Sequence, residues 1–427
     1  MRYRILAVAA AAVVLSAVVA TTAQSSKAAG HTLTVWLQVD AQNGWPGIVA
    51  NANSQFKSQH PGWDVNVVYQ HWTTHLSNFD ATIAGNDTPD VIEMGNTEMT
   101  AYMAANEFVN LTADKGKFDN SKKWLTGMKA WGTYFGKLYG IPYYAGSRVI
   151  TYRSDLFKKA GMKKPPTSLA QFQSELVKIG KMEKNKKGFS PLYVGGEDWY
   201  SALSFVFDYN GSIAKYSHGK WHGTLASKNS LKGLKRFKAF FDATQSKRTA
   251  TLDGSNLGAG NPYPYTVFAN GLTAALYGNA WYTCCTTNPK APPALNFTRR
   301  TKQFVMPSHI KGQPIPGFLG GSTLAVPVQS NAKSQAVDWM ADFTSNANEE
   351  ALEQKGNIPN ATNLLGNNVN EQAAKRSWFI PQAKHWVDVE NGNILKTMLA
   401  QMLTGHLTVA KAAQVADSNI AQTLNEP

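Results

Sequence analysis

Hydrophobic positions along this chain switch between a period of two and a period near 3.6, which predicts strands alternating with helices. Residues 32–37, TLTVWL, read as a short strand. Trp45, Ile48, Val49, Ala52 and Phe56 then recur at helical spacing, and Pro61 with Gly62 stops that helix. Val65, Val67 and Tyr69 alternate as a strand. Leu76, Phe79, Ile83 and Ala84 mark a second helix ending near Gly85, and Pro89 precedes the apolar pair Val91 and Ile92. This β-α-β-α-β order predicts a mostly parallel sheet covered by helices, an α/β fold.

Further along, Ser168 and Gln171 form a capping-box pattern ahead of a helix with Leu169, Phe172, Leu176 and Ile179 on its inner face. Residues 190–194 read as a strand and 197–209 as an aromatic helix. Leu231, Leu234, Lys238 and Phe241 continue helically, residues 273–277 are strand-like, and 322–328 form a strand before a helix with Ala336, Val337, Met340 and Phe343 inward. From Ile394 the chain is helical. No linker divides the sequence, so two lobes would require the chain to cross between them more than once.

The stretch from Gly136 to Gly161, GKLYGIPYYAGSRVITYRSDLFKKAG, reads as turn, strand and helix start. Tyr139 and Gly140 suggest the turn, and Pro142 cannot donate a ladder hydrogen bond. Ala145, Gly146 and Ser147 make a small-residue break. Val149 to Tyr152 is the apolar, β-branched run, and the short helix ends at Gly161.

At 427 residues, two domains are expected. With 43% hydrophobic and 16% charged residues the chain is a folded soluble protein, not a disordered one. Residues 1–29 stand apart: Arg2 and Arg4, an apolar run from Ile5 to Ala20, then small residues through Ala23 and Ala28. That is a secretory signal peptide pattern, with cleavage expected after Ala23 or near Ala28. No cysteine lies near that point, so a lipoprotein anchor is not expected. The mature protein is expected to be secreted or otherwise extracytoplasmic.

The net charge of +14 owes much to a lysine-rich stretch at 158–187. No nucleic-acid module accompanies it, so a solvated basic face is expected, with attraction to an anionic envelope as a by-product. Cys284 and Cys285 are adjacent, which leaves a strained vicinal disulfide, two thiols or intermolecular chemistry open.

Catalytic signatures are missing. There is no phosphate-binding glycine loop, and Gly320-Gly321-Ser322 lacks the glycine that completes a nucleophile elbow. His71 and His75 have no glutamate between them and no further ligand in view, so no metal and no cofactor is expected. The carboxylate pairs Asp87 with Asp90, Glu93 with Glu98, and Glu197 with Asp198 are the only hint of glycosidase chemistry. The positive signal is aromatic. Among twelve tryptophans, Trp36, Trp199, Trp281 and Trp378 sit at turns or strand ends. An indole stacks on the C–H face of a sugar while neighbouring polar groups bond its rim.

Several segments resemble family 1 extracellular solute-binding proteins, the sugar receptors of ABC transporters: ATIAGNDTPDV at 81–91, YGIPY followed by YRSDLFKKAG, Pro165-Pro166-Thr167 with Phe172, the series Phe268, Gly271, Ala275, Gly278 and Trp281, and Gly320-Gly321-Ser322. They occur in the family's order over residues 31–427. The resemblance implies the two-lobed periplasmic-binding-protein fold of type II, with lobes at 31–145 with 320–366 and at 146–319 with 367–427, closing as a hinge on an oligosaccharide. By position it implies ligand contacts at Asp40, Met94, Asn96, Tyr144, Ser147, Glu197, Asp198, Trp199, Trp281, Gly320, Gly321, Ser322 and Trp378. Met94 replaces an aromatic residue of some relatives. The resemblance further implies a monomeric binder, not an enzyme, with a carbohydrate ligand, a membrane-embedded permease as partner and no nucleic acid. A same-fold receptor for a polyamine or metal, and a secreted glycan-cleaving enzyme, are the alternatives.

Overall fold

The computed structural model describes residues 30–244, 249–252, 264–280, 282 and 299–426. The predicted leader, Trp281 and the Cys284-Cys285 pair lie outside the described residues. Two mixed sheets organise the chain. The larger has six strands, β1 His31–Gln38, β2 Trp63–Gln70, β3 Val91–Gly95, β4 Gly140–Gly146, β9 Gly320–Ala325 and β10 Ile358–Pro359, in the order β10-β4-β9-β3-β1-β2. β1 pairs in parallel with β2 and β3, while β9 runs against both β3 and β4, and β10 against β4. The smaller sheet has β5 Arg148–Arg153, β6 Ser190–Tyr193, β7 Thr273–Asn279 and β8 Thr301–Phe304, in the order β8-β5-β7-β6.

Each sheet has its own core. Leu33, Val35 and Leu37 of β1 point inward with Ile48, Val49, Ala52 and Phe56 of the helix Pro46–Gln59, the residues whose spacing predicts that helix. On the second sheet, Phe172 of the helix Leu169–Met182 and Phe205 of Trp199–Asp208 meet Phe237 and Phe240 of Lys228–Thr244. Gly233 makes that helix contact possible. A Cβ there would stand 2.4 Å from the Phe205 carbonyl oxygen. The closing helices Trp386–Asn391, Ile394–Thr404 and Val409–Leu424 join this second core. The chain therefore leaves the six-stranded sheet after β4, returns at β9, and leaves it again after β10.

Two local expectations change. No turn stands at Tyr139 and Gly140 and no break at Ala145 and Gly146: residues 140–146 form β4, inside the larger sheet between β9 and β10. The ladder shifts register between Ser322 and Thr323, so Tyr143 bulges beside the proline and the missing N–H breaks no regular rung. The Pro142 carbonyl instead accepts from Asn360 Nδ2 at 3.1 Å. At the helix Leu169–Met182, Ser168 Oγ accepts from Gln171 N at 3.2 Å, but the returning Gln171 side chain accepts from Thr167 N, not Ser168 N.

Candidate functional site

The passages between the two sheets lie side by side. Gly146 ends β4 opposite Gly320, which begins β9, and Ala145 faces Gly321. Gly321 must stay small, because a Cβ would reach 2.2 Å from the Tyr144 carbonyl oxygen. Buried asparagines fasten both passages. Asn96 donates from its backbone to Gly321 O at 3.0 Å and from Nδ2 to Leu319 O at 2.9 Å. Asn370 accepts from Ser147 N at 2.6 Å and donates to Gly356 O at 2.8 Å. The adjacent Asn368 holds Asn370 in place through a capping box with Glu371.

Above these passages a cleft of about 490 Å³ opens between the sheets. On the side of the larger sheet, Asp40 follows β1 and Trp72 follows β2. The Trp72 indole N–H donates to Asp40 Oδ2 at 2.5 Å, and the ring meets His75 edge-on, centroids 5.2 Å apart at 84°. The N–H bond holds the indole by its rim, and at 39% exposure Trp72 remains accessible to a ligand in the cleft. Glu98 Oε2 accepts from Gly95 N at 2.7 Å and from His75 Nε2 at 2.8 Å. Burial works against a charged His75, but the Glu98 carboxylate outweighs it and pushes the imidazole up from its ordinary value. Beneath them Glu93 is wholly buried and accepts from Gln38 N at 2.8 Å; burial pushes its carboxyl up to about 7.

The opposite wall is cationic and aromatic. The Arg148 guanidinium lies 4.5 Å over the Tyr200 ring, with Nε 3.6 Å from Asp198. Tyr200 in turn packs on Phe318, centroids 4.7 Å apart. A hydrogen bond joins the two sides here: Thr97 Oγ1 donates to Glu390 Oε2 at 3.3 Å. Trp386 Nε1 also donates to Glu390, at 2.5 Å, and burial pushes this carboxyl up to about 7.

Over residues 51–375 the sequence matches the bacterial extracellular solute-binding protein family. The chain belongs to that family. A curated relative, the diacetylchitobiose binding protein DasA of Streptomyces coelicolor, is 28% identical over 407 residues, 91% of this chain and 88% of its own. Among solved structures, the GacH receptor of Streptomyces glaucescens, crystallised unliganded and with acarbose, overlays with a TM-score of 0.75 at 18% identity, over 93% of this chain and 99% of its own. The sugar-binding protein MalE of Xanthomonas citri overlays with a TM-score of 0.76 at 18% identity, over 92% and 97%. These structures have the same two-lobed α/β fold.

In this solute-binding protein, Asp40, Asn96, Tyr144, Ser147, Gly320 and Gly321 line the cleft together. Met94 and Ser322 are wholly buried in the larger sheet, Met94 beside Phe79 and Ile92. Asp198 is spent on the helix Trp199–Asp208, accepting from Ser201 N and Oγ, and serves as Arg148's counter-ion. Trp199 stacks behind Tyr200 at 3.9 Å. Trp378 is a core residue that stacks on Phe207 at 4.5 Å and donates to Ser204 Oγ at 3.1 Å. Glu197 is half-buried and is not among the described residues of the lining.

Sequence reasoning passed over Trp72, Arg148 and Tyr200, and weighed Glu98 only as half of a carboxylate pair. Trp72 had a usable signal. It lies at the carboxyl end of a parallel strand, the edge of an open α/β sheet where ligands bind. Arg148 directly follows a residue already singled out, and Tyr200 is one position past another.

Proposed function

We propose that this solute-binding protein captures a short oligosaccharide outside the cytoplasm and delivers it to an ABC permease. The observation that carries this reading is the exposed indole of Trp72, held by its N–H to Asp40 and facing the Arg148 and Tyr200 wall across a cleft that also carries Asn96 and Asn279. The indole offers a stacking face, and Asp40, Asn96 and Asn279 offer partners for hydroxyl and acetamido groups. Diacetylchitobiose, bound by the similar DasA, and acarbose, found in complex with GacH, are of this class. The lobes are residues 31–145 with 320–366 and 146–319 with 367–427. They close on the ligand, and the protein acts as a monomeric binder without catalysis.

Asp40 and Glu98 also favour a second reading, a cationic solute such as a polyamine. Arg148 and Lys355 line the same cleft and weigh against it. Titration calorimetry against diacetylchitobiose, maltose and spermidine separates the two. A disaccharide is expected to bind near the micromolar range, about −8 kcal/mol. Binding of spermidine with no response to any sugar overturns the sugar reading.

A further inference from the structure

We infer that the glycan runs on from the cleft into a second cavity, so that the preferred ligand is longer than a disaccharide. This rests on the sugar reading above. The second cavity, of about 540 Å³, shares Gln303 and Val369 with the cleft, so the two adjoin at these residues.

The junction is firmly built. Gln303 Nε2 donates to Thr151 Oγ1 at 3.1 Å and to Ala280 O at 2.7 Å, which leaves its carbonyl oxygen to offer a passing hydroxyl. Beyond it the walls come from Pro165, Pro166, Pro307 and Pro314, whose rigid rings present flat apolar faces without needing to be ordered on binding. Gln313 and Gln372 add polar groups at the edge. Apolar faces with amides at their margin suit the two-sided surface of a pyranose ring. No carboxylate is among the described residues of this lining, in contrast to Asp40 and Glu98 in the cleft.

The far end sets the charge of what fits. A third cavity shares Pro165 with the second and is bordered by Lys158, Lys163, Lys164 and Lys302. Asp155, the one carboxylate among its described lining residues, is engaged by Arg153 at 2.7 Å and Arg300 at 3.4 Å. Free amines on the distal units would meet this positive field, so the extension takes neutral units.

The test is a chain-length series in calorimetry, using N-acetylated chito-oligosaccharides and malto-oligosaccharides of two to five units, on wild type, Gln313→Trp and Gln372→Trp. Both positions border the second cavity and not the cleft, and they lie on different segments. In the series whose disaccharide binds, the tetrasaccharide is expected to bind about tenfold tighter. Each tryptophan is expected to erase that gain and leave disaccharide affinity within about twofold. Equal affinity for two and four units in wild type overturns the inference, as does a full gain retained in both folded variants. Failure of every disaccharide to bind instead sinks the sugar reading, and this inference with it.

Discussion

Thr97 Oγ1 donates to Glu390 Oε2 at 3.3 Å, joining the loop after β3 to a helix packed in the opposite core. Glu390 is half-buried, and desolvation pushes its carboxyl up to about 7. A carboxyl raised in the folded state holds its proton there after the unfolded chain has lost it. Its stabilising contribution is present below the unfolded value of 4.5 and is lost as pH rises to about 7. Glu93 has the same sign and the same window. Thermal denaturation across pH 4 to 8 is therefore expected to flatten in Glu390→Gln and Glu93→Gln. Each variant should gain a few °C relative to wild type at pH 8, on the order expected for ~1 kcal/mol. A wild-type slope unchanged by both substitutions would contradict this.

Trp72 separates binding from folding. Because the side chain is exposed, Trp72→Ala is expected to leave the melting temperature within about 2 °C while weakening sugar affinity about tenfold to a hundredfold. Trp72→Phe keeps a ring but loses the bond to Asp40, and should fall between. Calorimetry beside a thermal melt of each variant checks the separation.

Gly321→Ala places a methyl where the Tyr144 carbonyl already stands. Backbone must move to admit it, at a cost of about 1–3 kcal/mol. Because the displaced strands floor the cleft, affinity is expected to drop together with stability. Urea denaturation and calorimetry on one preparation would read both, and unchanged values in both would refute the tight packing described.

Asn370→Ala removes the acceptor for Ser147 N and the donor to Gly356 O, leaving two backbone groups unpaired. A loss of about 1–3 kcal/mol is expected in urea denaturation. Asn370→Asp keeps the acceptor and should recover part of it.

The hydrophobic pattern revealed most of the fold because each core is built from elements whose inner faces repeat regularly. The series from Trp45 to Phe56 and the alternation of β1 and β2 are read directly from spacing. Pro142 misled because local propensity treats a proline as a strand breaker, whereas a bulge in a long-range pairing accommodates it. The cleft was legible where it coincides with the passages between sheets, at Tyr144, Ser147, Gly320 and Gly321. It was less legible where identity alone pointed to aromatic residues. Trp199 and Trp378 satisfy the same preference for large flat side chains inside the core, and residue identity does not distinguish them from Trp72. Its place past the carboxyl end of β2 and its bond to Asp40, 32 positions away, make that distinction.

The rung joining Gly146 to Gly320 has a mechanical consequence. Separate tethers would let one sheet twist, slide or tilt against the other. Here two tethers are laced by backbone pairing, and Asn370 ties the chain's last departure from the larger sheet to Ser147 within the same bundle. Such a bundle resists torsion and sliding and yields chiefly to bending across its width. Relative displacement of the two bodies thus collapses to a single coordinate, and contacts far out along the cleft act on that coordinate with the longest lever arm.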